Sequence, residues 1–280
     1  MSLFAPAKLN LTLNIIGKNK GYHDLQSLVC FPDIGDSLRF SEASDLRLSL
    51  AGEFASAIGG ENVVLEAARL LRGEKNIVQG AHIHLVKNIP VGAGLGGGSA
   101  DAACVLRGLA EFWGCSLSSK ENEEMALGLG SDVPACLVSE PLWLEGRGER
   151  LRAIRLPDFA VLLVYCGEPL CSGEMFSLMR PPFSEASVLP DSFADMGGLV
   201  RYIGERGNDF LPLAQKKLPA ISEILDGLWD CSPLVASLSG SGSACFALFA
   251  SLAEAERAGE KMKVRYPSYW VRSAFVNNGG

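Results

Sequence analysis

The sequence lacks the features that place a protein in a membrane or on nucleic acid. Its longest uninterrupted apolar run, Phe159 to Cys166, falls far short of the ~20 residues that a membrane-spanning helix needs. Basic residues are in deficit, since 25 Lys and Arg stand against 32 Asp and Glu and the formal net charge is −7. Because nucleic-acid-binding proteins normally present a basic surface, we expect neither nucleic acid nor a membrane as a partner.

Metal-binding and disulfide patterns are also missing. None of the eight cysteines belongs to a Cys-x-x-Cys pair, so a zinc site built on cysteine is not expected. Only three histidines occur, and two of them, His82 and His84, alternate on a predicted strand. They have no third ligand near them in the sequence, which favours an exposed strand face. The first residues lack a secretory signal pattern. A reduced, cytoplasmic protein is therefore the simplest interpretation.

The most informative segment that is present runs from Val91 to Asp101 and contains five glycines. An alternating run at 81–86 predicts a strand before it, and apolar residues with helical spacing follow it: Ala102, Leu106, Leu109 and Trp113. The first turn of a helix carries free N–H groups and a partial positive charge. Glycines let that backbone approach a ligand closely. The order of strand, glycine loop and helix therefore predicts a phosphate-binding site.

Two familiar nucleotide-binding patterns fit this segment poorly. Gly92, Gly94 and Gly97 formally match the dinucleotide fingerprint, but the preceding strand carries two histidines and no earlier βα unit is apparent. No Gly-Lys-Ser/Thr sequence follows the glycines, so the P-loop pattern fails as well. A flexible linker would not run directly into an amphipathic helix. A Rossmann oxidoreductase is thus disfavoured, and absence of NAD binding would exclude it.

Two polar features remain open to two interpretations each. The segment 8–15 alternates strictly, which predicts one strand with Leu9, Leu11, Leu13 and Ile15 on one face and Lys8, Asn10, Thr12 and Asn14 on the other. The polar face is either solvated, as in an ordinary half-buried strand, or lines a polar cleft. Asp132 is either the N-cap of a short helix or a functional carboxylate.

The chain is long enough for one large or two ordinary domains, with 280 residues of which 48% are hydrophobic. Helical spacing predicts helices over 62–71 and 118–129, and strands mix with helices in the second half. This mixture indicates an α+β protein whose second domain begins near residue 153. The segment 181–198 is rich in proline and serine and is expected to be an irregular, mobile connection.

Several motifs together resemble the signature sequences of the GHMP kinases. They are Pro6-Ala-Lys8-Leu-Asn10, Gly94-Leu-Gly-Gly-Gly-Ser99 and Ser239-Gly-Ser-Gly-Ser243. Gly21-Tyr22-His23 and Gly130-Ser-Asp132-Val-Pro134 extend the resemblance along nearly the whole chain. They resemble the family members that use ATP to phosphorylate the 2-hydroxyl of a cytidine-diphosphate-linked methylerythritol, on the methylerythritol phosphate route to isoprenoids.

The resemblance implies a fold and a set of partners. The fold is the α+β, two-domain GHMP kinase fold. Its N-terminal domain, similar to ribosomal protein S5 domain 2, would span 1–152, and a C-terminal ferredoxin-like α/β sandwich would span 153–280. ATP and Mg²⁺ are the implied cofactors, and a small cytidine-diphosphate-linked sugar alcohol is the implied substrate. We expect a monomer or a weak homodimer.

The resemblance also implies roles for single residues. Asp132 would be the catalytic base and Lys8 its partner. Residues implied to bind ATP are Asn62, Lys87, Pro90, Val91, Gly92, Ala93, Gly94, Leu95, Gly96, Gly97, Gly98, Ser99 and Ala100, with Ser99 also a candidate Mg²⁺ ligand. Residues implied to bind the substrate are Asn10, Tyr22, His23, Ser172, Phe176, Ser239 and Gly240. Tyr22 and Phe176 are expected to sandwich the cytosine ring.

Three positions depart from the family pattern without deleting a catalytic group. Lys20 replaces the usual Asp before Gly-Tyr-His, Ala100 replaces the second serine of the glycine loop, and Ser131 precedes Asp132 in place of alanine. Two other functions stay open. One is a GHMP kinase acting on homoserine or a mevalonate derivative, and the other is a ligand sensor of the same fold that catalyses nothing.

Overall fold

The computed structural model describes residues 1–19, 21–59, 62–188 and 190–277, so Lys20 lies outside the described residues. The strands are β1 (Ser2–Pro6), β2 (Leu9–Asn10), β3 (Asn14–Asn19), β4 (Tyr22–Cys30), β5 (Gly35–Ser41), β6 (Leu46–Ala51), β7 (Ala81–Val86), β8 (Leu142–Gly146), β9 (Arg150–Ala153), β10 (Phe159–Tyr165), β11 (Val235–Leu238), β12 (Cys245–Phe249) and β13 (Trp270–Val276). The helices are α1 (Val63–Glu74), α2 (Gly97–Phe112), α3 (Ser119–Leu129), α4 (Val133–Val138), α5 (Ser172–Leu178), α6 (Met196–Arg206), α7 (Leu211–Lys217), α8 (Ala220–Trp229) and α9 (Leu252–Arg265).

The chain forms two compact units that alternate along the sequence. The first unit contains residues 1–8, 34–91 and 96–139, and the second contains residues 9–33, 92–95 and 140 onward. The chain therefore enters and leaves the second unit within the glycine loop. The predicted domain boundary between residues 152 and 153 stays a prediction. Among the described residues, we find no helix with the length and apolar character that a bilayer crossing requires.

The first unit is built on a four-stranded sheet with the order β1-β5-β7-β6, in which only β6 and β7 run parallel. Ile83 and Leu85 of β7 are fully buried and alternate with half-buried His82 and His84. The two histidine rings share the hydroxyl of Ser49, with nitrogen–oxygen distances of 2.9 and 2.8 Å. The predicted strand is confirmed, and its histidine face is hydrogen-bonded rather than fully exposed.

Helix α2 packs on β1 and β5 of this sheet and also against α1 and α4. Leu106 and Leu109 on its periodic face are fully buried, as the helical spacing predicts. Each such leucine contributes about 1.5–3 kcal/mol of burial free energy. Gly108 lets the helix approach the sheet closely, because a Cβ there would lie 2.4 Å from the Phe40 ring. The helix that follows the glycine loop is therefore anchored along its length.

The second unit contains two sheets. One is antiparallel with the order β11-β12-β10-β13, and helices α8 and α9 pack on it. All residues of its strand β10 are buried, which explains the continuous apolar run at 159–166. The other sheet joins β2, β4, β8 and β9, with β3 also paired to β4.

The prediction of one continuous alternating strand over 8–15 is wrong, and of the two interpretations of its polar face the solvated one does not hold. The chain forms two short strands, β2 and β3, and the polar residues of this segment are buried, with Asn10 2% and Thr12 1% exposed. Buried polar groups are retained where they find hydrogen-bond partners. Asn10 Nδ2 donates to Ser27 Oγ at 2.8 Å, and Thr12 Oγ1 accepts from the Leu28 amide at 3.1 Å.

Of the segment 181–198, the described residues 181–188 and 190–195 are irregular, as predicted, and α6 begins at Met196. Several hydrogen bonds nevertheless anchor it to the second unit. The amide of Ser187 donates to Gln26 Oε1 at 2.9 Å, and Trp143 Nε1 donates to the Pro190 carbonyl at 2.8 Å. The expectation of a mobile connection is therefore not matched by these contacts.

Candidate active site

Lys8 and Asp132 form an ion pair in the first unit. Lys8 Nζ lies 3.4 Å from Asp132 Oδ2, and the two side chains are 3% and 40% exposed. Asp132 stands at the start of α4, yet within the described structure its side chain makes no capping hydrogen bond. The geometry thus favours the functional carboxylate over the capping interpretation. An accessible carboxylate beside a buried ammonium can accept a proton from an alcohol.

The second half of the glycine loop lies directly against this pair. Gly96 has φ of 62°, and a Cβ at Gly96 would lie 2.9 Å from Lys8 Cβ. Only glycine suits that backbone conformation and that close approach to the lysine stem. Gly96, Lys8 and Asp132 are thereby brought together within one unit.

Helix α2 begins at Gly97 with its first amides available. Helix α2, like α4, α5, α7 and α8, has no side-chain cap in the part of the chain that the structure describes, whereas α1, α3, α6 and α9 each begin with one. Uncapped N–H groups and the helix dipole make this end a favourable anion site. The loop-to-helix junction predicted from the sequence therefore has the local geometry that phosphate binding needs.

The first half of the glycine loop is bonded to the Gly/Ser turn 239–243 in the second unit. Ser239 Oγ donates to the Gly94 carbonyl at 2.9 Å and accepts from the Asn10 amide at 3.2 Å. The Ala244 amide donates to the Ala93 carbonyl at 2.9 Å. The predicted substrate residues Asn10, Ser239 and Gly240 are thus gathered around Gly94.

Lys87 lies beneath the loop in a buried ionic cluster of the first unit. Its Nζ donates to Asp36 Oδ2 at 2.5 Å and to Asp101 Oδ2 at 2.6 Å. Burial opposes the charged form of Lys87, but the carboxylates of Asp101 and Asp36 outweigh it and raise the lysine pKa. Burial raises the pKa of Asp101 to about 7. A Cβ at Gly97 would lie 2.9 Å from Lys87 Nζ, so the cluster touches the start of α2.

The ATP contacts predicted for Lys87 and Asn62 stay predictions. The ammonium of Lys87 is engaged by two carboxylates. The side chain of Asn62 caps α1, accepting from the Val64 amide at 2.7 Å. Both side chains therefore have structural tasks that the sequence motifs did not show.

The aromatic residues of the second unit surround His23. The His23 ring lies 5.7 Å from Phe176 and 5.8 Å from Phe183, centroid to centroid. Tyr22 is 54% exposed, and the Arg147 guanidinium lies 3.6 Å above its ring. No ring contact joins Tyr22 to Phe176 among the residues described, so the sandwich stays a prediction and the direct neighbour of Phe176 is His23.

His23 is prepared to stay neutral. Burial lowers its pKa, and the charges of Lys18 and Arg180 lower it further. Its Nε2 is buried and has no hydrogen-bond partner within the described ranges. Because a buried polar atom normally has a partner, this nitrogen is suited to a ligand. The predicted substrate residue Ser172 lies at the start of α5, where its hydroxyl meets that of Ser241 at 2.7 Å.

Several residues of these sites were not found from the sequence. They are Asp36, Asp101, Arg147, Phe183, Asn208 and Phe210. Each contributes through a contact between segments that lie far apart in the chain, as when Phe210 packs 4.8 Å from Phe176. Of these residues, Arg147 lies in a stretch, Gly146-Arg147-Gly148-Glu149, that the sequence does mark as a turn.

Known proteins resemble this chain over most of its length. The family model described as GHMP kinases N terminal domain matches residues 62–140, and the one described as GHMP kinases C terminal matches residues 192–268. The chain is 42% identical to a protein of Paramagnetospirillum magneticum, over 98% of this chain and 97% of the relative. It is 41% identical to one of Parvibaculum lavamentivorans, over 95% of each. Both relatives are named 4-diphosphocytidyl-2-C-methyl-D-erythritol kinase.

Solved structures give the same result. A crystal structure of a 4-(cytidine 5'-diphospho)-2C-methyl-D-erythritol kinase superposes with a TM-score of 0.81 at 30% identity, covering 100% of both chains. A homoserine kinase from Cytophaga hutchinsonii superposes with a TM-score of 0.70 over 100% of this chain and 96% of that chain, and at 18% identity it supports the fold alone. With two family models matched and relatives similar over nearly their whole length, the chain belongs to the GHMP kinase family.

Proposed function

We propose that this protein transfers the terminal phosphoryl group of ATP to the 2-hydroxyl of 4-diphosphocytidyl-2-C-methyl-D-erythritol. The observation that carries the proposal is the Lys8–Asp132 pair lying against Gly96 of the glycine loop in one unit. The names of the similar proteins supply the substrate. A ligand sensor would have no need of an accessible carboxylate paired with an ammonium.

The residues of the first unit carry the transfer. Amides at the start of α2 bind the phosphates of ATP, together with the other loop residues of this unit, 90, 91 and 96–100. Asp132 takes the proton from the acceptor hydroxyl as the oxygen attacks the terminal phosphorus and ADP leaves. Lys8, paired with Asp132 at 3.4 Å, stabilises negative charge on the transferring group. A positioned general base contributes about 10²- to 10⁴-fold in rate.

The donor set suits Mg²⁺ held mainly by the nucleotide. Among the residues described, no group of three or more His, Cys, Asp or Glu could hold a metal ion. Mg²⁺ commonly binds through one or two protein ligands plus substrate phosphates. Ser99, at the third position of α2, offers a hydroxyl as that ligand. When bound, Mg²⁺ neutralises phosphate charge.

The residues of the second unit bind the acceptor substrate. Phe176 and Tyr22 offer ring faces to cytosine, and a stacked base gains about 1–3 kcal/mol. His23 Nε2 hydrogen-bonds the edge of the base, since that buried atom otherwise has no partner within the described chain. Asn10, Ser172, Ser239 and Gly240 contribute the remaining polar contacts. Because cytosine and uracil differ in donors and acceptors at this edge, a neutral histidine can distinguish them.

The test is a substrate panel. ATP consumption is measured with the cytidylylated methylerythritol, with homoserine, with mevalonate and with no acceptor. Turnover only with the cytidylylated alcohol is the expected result. Turnover with homoserine or mevalonate instead would assign another GHMP activity. ADP binding without turnover on any acceptor would identify a sensor.

We further propose that the protein acts in the cytoplasm as a monomer or weak homodimer, with small molecules as its partners. The cytoplasmic assignment rests on unpaired cysteines and on a metabolic substrate. Sedimentation velocity over a range of protein concentrations tests the oligomeric state. A single stable species larger than a dimer would contradict the proposal.

A further inference from the structure

Residues 207–210, here called the Asn208 corner, connect α6 to α7 in the second unit. The corner is hydrogen-bonded to the buried segment 8–15 through the backbone of Leu13. The Leu13 amide donates to the Gly207 carbonyl at 3.1 Å, and the Asp209 amide donates to the Leu13 carbonyl at 2.9 Å. Neither the phosphate loop nor the motifs of the family resemblance includes this corner.

The side chain of Asn208 is 6% exposed and fully used. Its Nδ2 donates to the carbonyls of Leu238 and Gly240, both at 2.8 Å, and its Oδ1 accepts from the Phe210 amide at 2.9 Å. One amide group therefore holds the backbone on both sides of Ser239.

Ser239 connects the turn held by Asn208 to the glycine loop and to Asn10. Its hydroxyl donates to the Gly94 carbonyl and accepts from the Asn10 amide. The two loops also touch backbone to backbone, since a Cβ at Gly240 would lie 3.0 Å from the Gly94 oxygen. A Cβ at Gly94 would lie 2.4 Å from the Ser239 oxygen. Because the backbones of the 238–240 turn and the glycine loop are in contact, a shift of the turn also shifts Gly94.

The neighbours of Asn208 reach two more parts of the substrate region. Asp209 accepts from the Ile15 amide at 2.7 Å and from Ser184 Oγ at 2.9 Å. Phe210 packs its ring edge against Phe176. Consecutive residues of one corner thus restrain the N-terminal segment, the Ser239 turn and the aromatic wall.

We infer that Asn208 is a positioning residue for phosphoryl transfer, acting through the Leu238–Gly240 turn to fix Ser239 against Gly94 and Asn10. The inference rests on the proposed function for the reaction that it affects. Misplacing groups by about 1 Å in such sites costs roughly 10²-fold in rate.

The test uses Asn208→Asp, which keeps the shape and the acceptor but turns an oxygen toward two carbonyls. We expect kcat/KM for the cytidylylated alcohol to fall roughly 10²-fold, mostly in kcat. Ser239→Ala should give a similar loss, and the double variant should lose little more, because the two residues act in series. Additive losses, or wild-type kcat/KM in folded Asn208→Asp, would overturn the inference.

Trp143→Phe is the matched control for stability. It removes the hydrogen bond to Pro190 and some packing of a buried side chain in the same unit. A lowered Tm with unchanged kcat and KM is expected for Trp143→Phe. If it lost kcat/KM as Asn208→Asp does, the effect would be general destabilisation and the inference would fail.

ADP binding separates this inference from the proposed function. Calorimetry measures ADP affinity for the wild type, Asn208→Asp and Trp143→Phe without any acceptor alcohol. Weaker binding only in Asn208→Asp supports the restraint on Gly94 even if the cytidylylated alcohol proves not to be the substrate. Turnover of that alcohol with ADP affinity and kinetics unchanged in Asn208→Asp would retain the function and reject the inference.

Discussion

At the scale of single residues, we propose that Asp132 accepts the proton of the acceptor hydroxyl while contributing little to the stability of the fold. Asp132→Asn keeps the size of the side chain but removes the proton acceptor, so kcat should fall about 10²- to 10⁴-fold. The fold and ADP affinity should persist, because in the described chain this carboxylate does not cap α4. Steady-state kinetics, calorimetry and thermal melts check this. The control is Asp226→Asn, the same substitution at an exposed position of α8. Wild-type turnover in Asp132→Asn would show that Asp132 is not the proton acceptor.

Phe176 tests the aromatic wall of the second unit. Phe176→Ala removes a ring face worth about 1–3 kcal/mol to a stacked base, so KM for the cytidine substrate should rise roughly 5- to 150-fold while KM for ATP stays unchanged. Phe193→Ala deletes a ring that packs on Trp143 and Tyr202 instead, and serves as the control. An unchanged KM for the cytidine substrate in Phe176→Ala would count against stacking.

At the scale of secondary structure elements, sequence periodicity predicted much of the first unit. The helices at 62–71 and 118–129 appear as Val63–Glu74 and Ser119–Leu129, and the strand at 81–86 has the predicted bounds. These elements bury one face against a sheet or a neighbouring helix, so the spacing of their apolar residues matches the period of the helix or strand and predicts it. The segment 8–15 was predicted wrongly because its polar residues are buried as well as its apolar ones. Periodicity does not reveal the hydrogen-bond partners that residues elsewhere in the chain provide for them.

The buried cluster under α2 makes a prediction about stability and pH. Burial raises the pKa of Asp101 from its ordinary 3.8 to about 7, so between these values the folded state binds more protons than the unfolded state. Stability from this group is present below 3.8 and is lost as the pH rises through about 7. The amide of Asp101→Asn does not titrate, so the free energy of unfolding of this variant relative to the wild type should increase as the pH rises from 3.8 to about 7. Urea unfolding of both proteins at each end of this pH range is the measurement. A difference in unfolding free energy between variant and wild type that does not change with pH would contradict the prediction.

Lys87→Met is the complementary change in the same cluster. It leaves two carboxylates buried without their ammonium, and breaking a buried ion pair costs about 3–5 kcal/mol. The variant should therefore unfold at much lower urea than Asp101→Asn. Equal stability of the two variants would mean that the ammonium does not hold α2 to the sheet.

At the scale of the whole molecule, the motifs predicted the proposed site residues but not those that hold them in place. Lys8 and Asp132 could be named because the short motifs around them resemble those of the GHMP kinases, and the glycine loop because its order of strand, glycines and helix favours a phosphate. Asn208 could not, because its hydrogen bonds to Leu238 and Gly240 join segments that only the fold brings together. A polar residue between two helices is otherwise typical of any exposed loop.

Net charge gives a final prediction about the molecule as a whole. The formal net charge is −7, so the overall field of the protein repels ATP and an anionic cytidine substrate, and we propose that binding comes from local geometry at the start of α2. Added salt screens that repulsion over about 10 Å or less. We therefore expect kcat/KM for ATP to stay level or rise between about 50 and about 200 mM KCl at saturating Mg²⁺, whereas a protein with a basic field would lose activity. Stopped-flow binding of a fluorescent ATP analogue at each salt concentration separates the on-rate from the off-rate. A steep fall in the on-rate would show that a local cluster of cations, and not the amides of α2, dominates nucleotide capture.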